Sequence, residues 1–182
     1  FAAGNSGSGS STLGSQGHAK NIITVGSVQT TRFGGNMAQV SSFSSRGPAS
    51  DGRYKPDIIA PGENILSARS YAGVSCTGGY DSYYGFCTGT SMATPLTTGS
   101  ATLIRDYLVK NRSITDPISA LTKAILIAGA EDLPSYGASP NSNSGFGRVN
   151  LSRSLPLSAE MLNFSVGNLA TGNTVSSEFY LL

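Results

Sequence analysis

The stretch Gly89-Thr90-Ser91-Met92-Ala93-Thr94-Pro95 constrains this chain most, because a helix tolerates Pro95 only near its beginning. It predicts a helix that starts within a few residues of Ser91 and holds Pro95 in its first turn. A serine at such an entry lies beside backbone N–H groups that lack intrahelical partners and carry the positive end of the macrodipole. Negative charge developing there is stabilised, as acyl transfer requires. Gly89 and Ala93 are small enough to let a peptide approach the backbone. The same residues also read as a plain helix cap, in which Ser91 does no chemistry.

A second stretch, Phe1-Ala2-Ala3-Gly4-Asn5-Ser6-Gly7, is a short apolar run that stops at Gly-Asn. An asparagine at a strand end can donate its amide N–H to an oxyanion, and Gly4 leaves the adjoining wall open. Gly-Asn followed by Ser and Gly is equally a turn composition.

Further blocks follow in order. They are Ala19 to Val28, then Phe43 to Gly62 with its Phe-Ser-Ser-Arg-Gly-Pro, Asp-Gly-Arg-Tyr-Lys-Pro-Asp and Ile-Ile-Ala-Pro-Gly pieces, then the serine block, and finally Gly145-Phe-Gly-Arg-Val-Asn-Leu151. In these blocks and their order the chain resembles the subtilase family of subtilisin-like serine endopeptidases along nearly its whole length.

The resemblance implies that Ser91 is the nucleophile and that Asn5 and the Ser91 N–H hold the oxyanion. It implies an extended polypeptide substrate, with Ala2, Ala3 and Gly4 in the wall of the pocket for the residue before the cleaved bond. In the family the triad aspartate and histidine precede the asparagine segment, so an upstream part of the same protein is expected to supply both. His18, the only histidine, lies in Gly-Ser-Gln-Gly-His-Ala-Lys without the family's His-Gly-Thr pattern and reads as a surface loop residue. A serine hydroxyl without its base loses about 10⁶-fold in turnover. The chain is therefore expected to be a fragment, nearly inert alone. The chemistry requires no cofactor. Structural calcium is a family habit; Asp51, Asp57 and Asp81 lie in loops, but no dense acidic loop marks a site, and no ligand is assigned.

Composition narrows the partners. Charged residues are 12% of the chain and the net charge is +2, with Lys and Arg scattered singly, which gives no footprint for nucleic acid. The longest apolar runs fall well short of the roughly 20 residues that span a bilayer, so this segment is expected to make no membrane contact. Cys76 and Cys87 flank a Gly- and Tyr-rich loop and read best as a disulfide. Closing so short a loop stabilises by roughly 3 kcal/mol and braces the segment that delivers Ser91. Relative to the shortest subtilases this loop is an insertion near the nucleophile. Three sequons, at Asn111, Asn150 and Asn163, together with the cysteines fit a secreted or extracytoplasmic protein.

The expected fold is α/β: a subtilisin-like parallel sheet with packed helices, a partial domain over residues 1–156. Ile22 to Val28 and Pro56 to Ala60 read as buried strands. Ser91 to about Val109 reads as a helix packing through Gly99, Ala101, Leu103 and Ile104. Asp116-Pro117 would start a second helix that buries Ile118, Leu121, Ile125 and Ala128 before Gly129. Residues 157–182 alternate like antiparallel strands and read as the start of an all-β, jelly-roll-like domain.

Two other functions compete. One is a non-catalytic, protease-derived interaction domain fused to a membrane transporter, against which the retention of Ser91 and Asn5 argues. The other is an α/β-hydrolase esterase, which needs a histidine after the serine and Gly two residues beyond it; here no histidine follows and that place is Ala93.

Overall fold

In a computed structural model of the chain, residues 1–70, 76 and 78–155 are described. Strands β1 (Val25–Val28) and β2 (Ile58–Pro61) pair in parallel, Val25 opposite Ile58 and Val28 opposite Pro61. Both open later than the apolar runs suggest. The reason lies at their entrance, where the Thr24 N–H is taken by the Asp57 carboxylate at 2.7 Å instead of by a strand. Ala2 bridges Val25 on one flank and Arg148 bridges Ile59 on the other, both in parallel, so the sheet runs from residues 1–3 through β1 and β2 to residues 147–149.

All four residues of β1 and the first three of β2 are buried, as in a sheet covered on both faces. Val25, Ile58 and Ala60 face one core with Ala93, Ile104, Leu108, Leu121, Ile125 and Leu126. Val28 and Ile59 face a second, smaller one with Val40 and Leu133.

Helix α1 (Thr90–Arg112) crosses the larger core. Its buried residues are Thr90, Ala93, Thr97, Ser100, Ile104 and Leu108, a single stripe at helical spacing. Of the four residues expected to pack it, Ile104 is buried and Ala101 half-buried, whereas Gly99 and Leu103 are exposed. Hydroxyls take their places. Thr97 and Ser100 donate to the carbonyls of Ala93 and Leu96 at 3.1 and 2.9 Å, so they enter the core without leaving a polar group unpaired.

Pro95 is the sixth residue of α1 and so sits in its second turn, not its first. The loss is confined to one bond, since the missing N–H would have paired with the Ser91 carbonyl near the helix end.

Helix α2 (Ser119–Ala128) begins after Asp116-Pro117, with Ile118 as its cap residue. Asp116 is drawn off by Arg105, which reaches its carboxylate at 3.1 Å and the Pro117 carbonyl at 2.6 Å. In consequence Ile118 and Ala128 are exposed, and the buried face of α2 is Leu121, Ile125 and Leu126. An antiparallel hairpin, β3 (Ile65–Ala68) and β4 (Tyr84–Cys87), leads from β2 to α1, and Cys76 is bonded to Cys87. A single turn, α3 (Leu151–Ser154), packs on α2. The expected all-β segment, 157–182, lies outside the described residues.

Candidate active site

Asn5 follows the segment that bridges β1 at Ala2, and α1 starts beside it because the Gly89 N–H donates to the Gly62 carbonyl (2.8 Å) just past β2. The loop carrying Asn5 is clamped from the Phe43 to Arg46 segment. Ser45 N–H donates to the Gly4 carbonyl (2.9 Å), the Ser45 hydroxyl accepts from Ser6 N–H (3.0 Å), and the Phe43 carbonyl accepts from Gly7 N–H (2.8 Å). Gly4 has φ +111°, and a β-carbon there would meet the Ser45 hydroxyl at 2.9 Å. The Phe-Ser-Ser-Arg block is thus the seat of the asparagine.

Asn5 Oδ1 accepts the Thr90 N–H at 3.0 Å and the Thr90 hydroxyl at 2.9 Å. A backbone N–H can only donate, so the amide oxygen must face Thr90 and the amide nitrogen must face away. The Thr90 hydroxyl also accepts from Gly4 N–H at 3.2 Å. At the same helix start, Met92 N–H is taken by the Gly89 carbonyl. Among the described residues the Ser91 N–H has no such partner, which leaves it as an outward donor. A β-carbon at Gly89, φ +154°, would stand 3.1 Å from Asn5 Nδ2 and crowd that donor.

Ser91 is exposed at the second position of α1 and lines a groove of about 510 Å³ with Phe1, Ala2, Thr94, Pro95 and Thr98. Of the expected wall residues, Ala2 lines this groove. Ala3 is fully buried against Leu13 and Ala49, so its side chain belongs to a core cluster and only its backbone is available to a wall. On the other side of Met92 and Pro95 lies a groove of about 450 Å³ reaching to β3 and Cys87. His18 lines neither; its Nδ1 accepts from Ser50 N–H at 3.2 Å, and its carbonyl accepts from Arg53.

The three loop aspartates do not converge. Asp51 pairs with Arg53, which holds its carboxyl below the ordinary range. Asp57 is buried between Lys55 and Lys123, and Asp81 accepts the N–H groups of Tyr83 and Tyr84. Among the described residues no three His, Cys, Asp or Glu side chains gather as a metal site, so these aspartates do not together fit a calcium ion. No described helix is long and apolar enough to cross a membrane.

Thr90 is the residue of this candidate site that the sequence does not single out, although it lies inside the motif. Its signal is present only in three dimensions, in the bond to Asn5 across 85 positions.

The subtilase family matches residues 1–148. The chain is 39% identical over 162 residues to the serine protease AprX of Bacillus subtilis, an overlap covering 85% of this chain and 34% of that protein. It is 42% identical over 111 residues to the serine protease/ABC transporter B family protein tagB of Dictyostelium discoideum, covering 53% of this chain and 6% of that one. The structure of the Clostridium perfringens CspB protease superposes with a TM-score of 0.62 at 32% identity, covering 80% of this chain and 28% of that one. The chain thus spans about a third or less of these relatives.

Proposed function

Because the chain belongs to the subtilase family, we propose that it carries the nucleophile and oxyanion half of a serine endopeptidase. Ser91 attacks the scissile carbonyl of an extended polypeptide, and an acyl-enzyme forms on its hydroxyl. Asn5 Nδ2 and the Ser91 N–H donate to the carbonyl oxygen as it gains charge. The proton of Ser91 passes to a histidine held by an aspartate, both from a part of the same protein upstream of Phe1. Those two groups come to the groove beside Ser91, Phe1 and Ala2, which is open to them. No cofactor enters this chemistry.

The observation that carries the reading is the orientation of Asn5. Two donors from Thr90 occupy its oxygen, and its own donor is left at the helix start, where the Ser91 N–H has no internal partner among the described residues. A plain cap at Ser91 would need neither feature. Ala2 and the backbone of Ala3 and Gly4 would form the acyl-side wall. The disulfide beside the site suits a secreted or extracytoplasmic protein. Residues 1–156 would complete the peptidase domain, and residues 157–182 would open a β-rich one.

The test is fluorophosphonate labelling of the full-length protein, mapped by mass spectrometry, with Ser91→Ala as control. Labelling at Ser91 is expected. A folded, mature protein that stays unlabelled would overturn the reading in favour of a protease-derived interaction domain.

A further inference from the structure

The hairpin that delivers Ser91 carries an aromatic ledge that the reaction above does not use. Phe86, on β4, meets Phe33 edge to face, with ring centroids 5.2 Å apart and planes at 80°. It meets Tyr80 in the same manner at 6.0 Å, and the Arg32 guanidinium stands 5.5 Å from its ring centre. Phe33 is 75% exposed and Tyr80 64% exposed. Phe33 also holds φ 53° and ψ 32°, the left-handed region that a bulky side chain seldom enters. Core packing does not explain this conformation, since the ring faces solvent. Strained backbone that presents a large apolar group outward is a feature of ligand-meeting surfaces.

The ledge is built, not loose. The Thr30 hydroxyl donates to the Glu63 carbonyl at 3.0 Å and ties the loop after β1 to the turn after β2. Phe86 N–H donates to the Gly78 carbonyl at 3.0 Å, and the Cys76–Cys87 bond closes the same extension. The loop after β1 and the turn after β2 leave the carboxyl ends of those parallel strands, the edge at which Asn5 and the start of α1 also lie.

We propose that Phe33, Tyr80 and Phe86, with Arg32, form a subsite for a large apolar side chain, above all an aromatic one, of the polypeptide cleaved at Ser91. This rests on the peptidase reading of Ser91. The substrate chain is the occupant because the ledge is continuous with the site: β4 ends at Cys87, and only Thr88 and Gly89 separate it from α1. Extended backbone advances about 3.3 Å per residue, so the four steps from Phe86 to Thr90 put the ledge no more than about 13 Å from the helix start, a span of about four extended substrate residues. An entering ring finds the exposed ring of Phe33 beside the Arg32 guanidinium that lies over Phe86.

The test compares two peptides that differ only in one residue, phenylalanine or alanine, placed two to four positions from the scissile bond on either side in turn. The readout is the ratio of their kcat/KM values on the full-length protein, a ratio in which any general change of activity cancels. At one such position the wild type is expected to prefer the aromatic peptide about tenfold. Phe33→Ala and Phe86→Leu should bring that ratio close to one, while Tyr54→Ala, a distant exposed aromatic, should leave it unchanged. No aromatic preference at any position, or a preference untouched by Phe33→Ala, overturns the subsite. Should neither peptide be cleaved, fluorescence anisotropy of the same labelled peptides decides. Tighter binding of the aromatic peptide, lost in Phe33→Ala, upholds the ledge while the peptidase reading fails; equal binding of both peptides overturns the ledge itself.

Discussion

Asn5 and Thr90 are joined by two hydrogen bonds into one oxygen, the Thr90 N–H at 3.0 Å and its hydroxyl at 2.9 Å, and this pair of bonds ties the segment bridged to β1 at Ala2 to the start of α1. The backbone bond survives replacement of Thr90 by any residue except proline, whereas the hydroxyl bond survives only in a residue that keeps the hydroxyl, as serine does. In Thr90→Val the Asn5 amide keeps one anchor and loses the other. The Nδ2 donor then aims less well at a charge that exists only in the transition state. The expected outcome is a fall of about tenfold in kcat with KM nearly constant, and recovery in Thr90→Ser. Steady-state kinetics on the full-length protein decide it; a rise in KM with kcat intact would assign Thr90 to ground-state binding instead.

Hairpin β3–β4 joins the parallel sheet at its base, through the Gly89 N–H to Gly62 carbonyl bond and the tie of Thr30 to Glu63, so its own closure matters farther out. Cys76 and Cys87 enclose a loop whose opening restores chain entropy worth up to roughly 3 kcal/mol. Cys76→Ser with Cys87→Ser should therefore speed amide hydrogen exchange in β3 and β4, while β1 and β2, buried on both faces, keep their protection. Uniform loss of protection across all four strands would show that the bond supports the whole domain.

Lys55 and Asp57 form a buried pair at 2.5 Å, with Lys123 on the second carboxylate oxygen at 2.9 Å. Burial pushes the Lys55 ammonium below its ordinary pKa, and the Asp57 carboxylate opposes that shift. The two partners are not equivalent. Asp57→Asn leaves Lys55 buried with no counter-charge and beside another lysine, at about 3–5 kcal/mol. Lys55→Met leaves Asp57 still bonded to Lys123 and to Thr24 N–H, at about 1–2 kcal/mol. Chemical denaturation of the two variants should preserve that order, and the reverse order would refute the account.

What the sequence makes legible is the part written in local chemistry. Gly-Thr-Ser opens a helix, and the apolar runs at Val25 and Ile58 become buried parallel strands, while the run before Gly-Asn forms only a bridge to the sheet at Ala2. The paired cysteines are equally legible. What is misread is settled by partners distant in the chain. Asp116 has the right type for a cap, yet Arg105, a turn-rich segment away, captures it and shifts α2 by two residues. Thr97 and Ser100 hide from any apolar periodicity because they satisfy themselves on carbonyls four residues back. Thr90 and Ser45 hide for a different reason: a hydroxyl inside a motif has no signature of its partner until the chain is folded.

Arg148 sets the acid limit of the sheet's far flank. Its guanidinium donates to Glu131 at 2.7 Å and to the Met37 carbonyl at 2.7 Å, while its backbone pairs with Glu131 and, through the bridge at Ile59, with β2. The bond to Arg148 holds the Glu131 carboxyl below its ordinary pKa, partial burial opposing it. Between the lowered folded value and the ordinary unfolded one, the unfolded chain binds more protons, so stability rises with pH across that window. The contribution is complete above the ordinary carboxylate range and disappears as pH falls through the folded value. Glu131 is 40% exposed on its side chain, so solvent limits the effect to about 1 kcal/mol or less. Melting curves from about pH 7 to about pH 3 should show the wild type and Glu131→Gln converging at the acid end, with the wild type the more stable at neutrality. A constant gap between them at every pH would mean that the Glu131 carboxylate contributes shape and not charge.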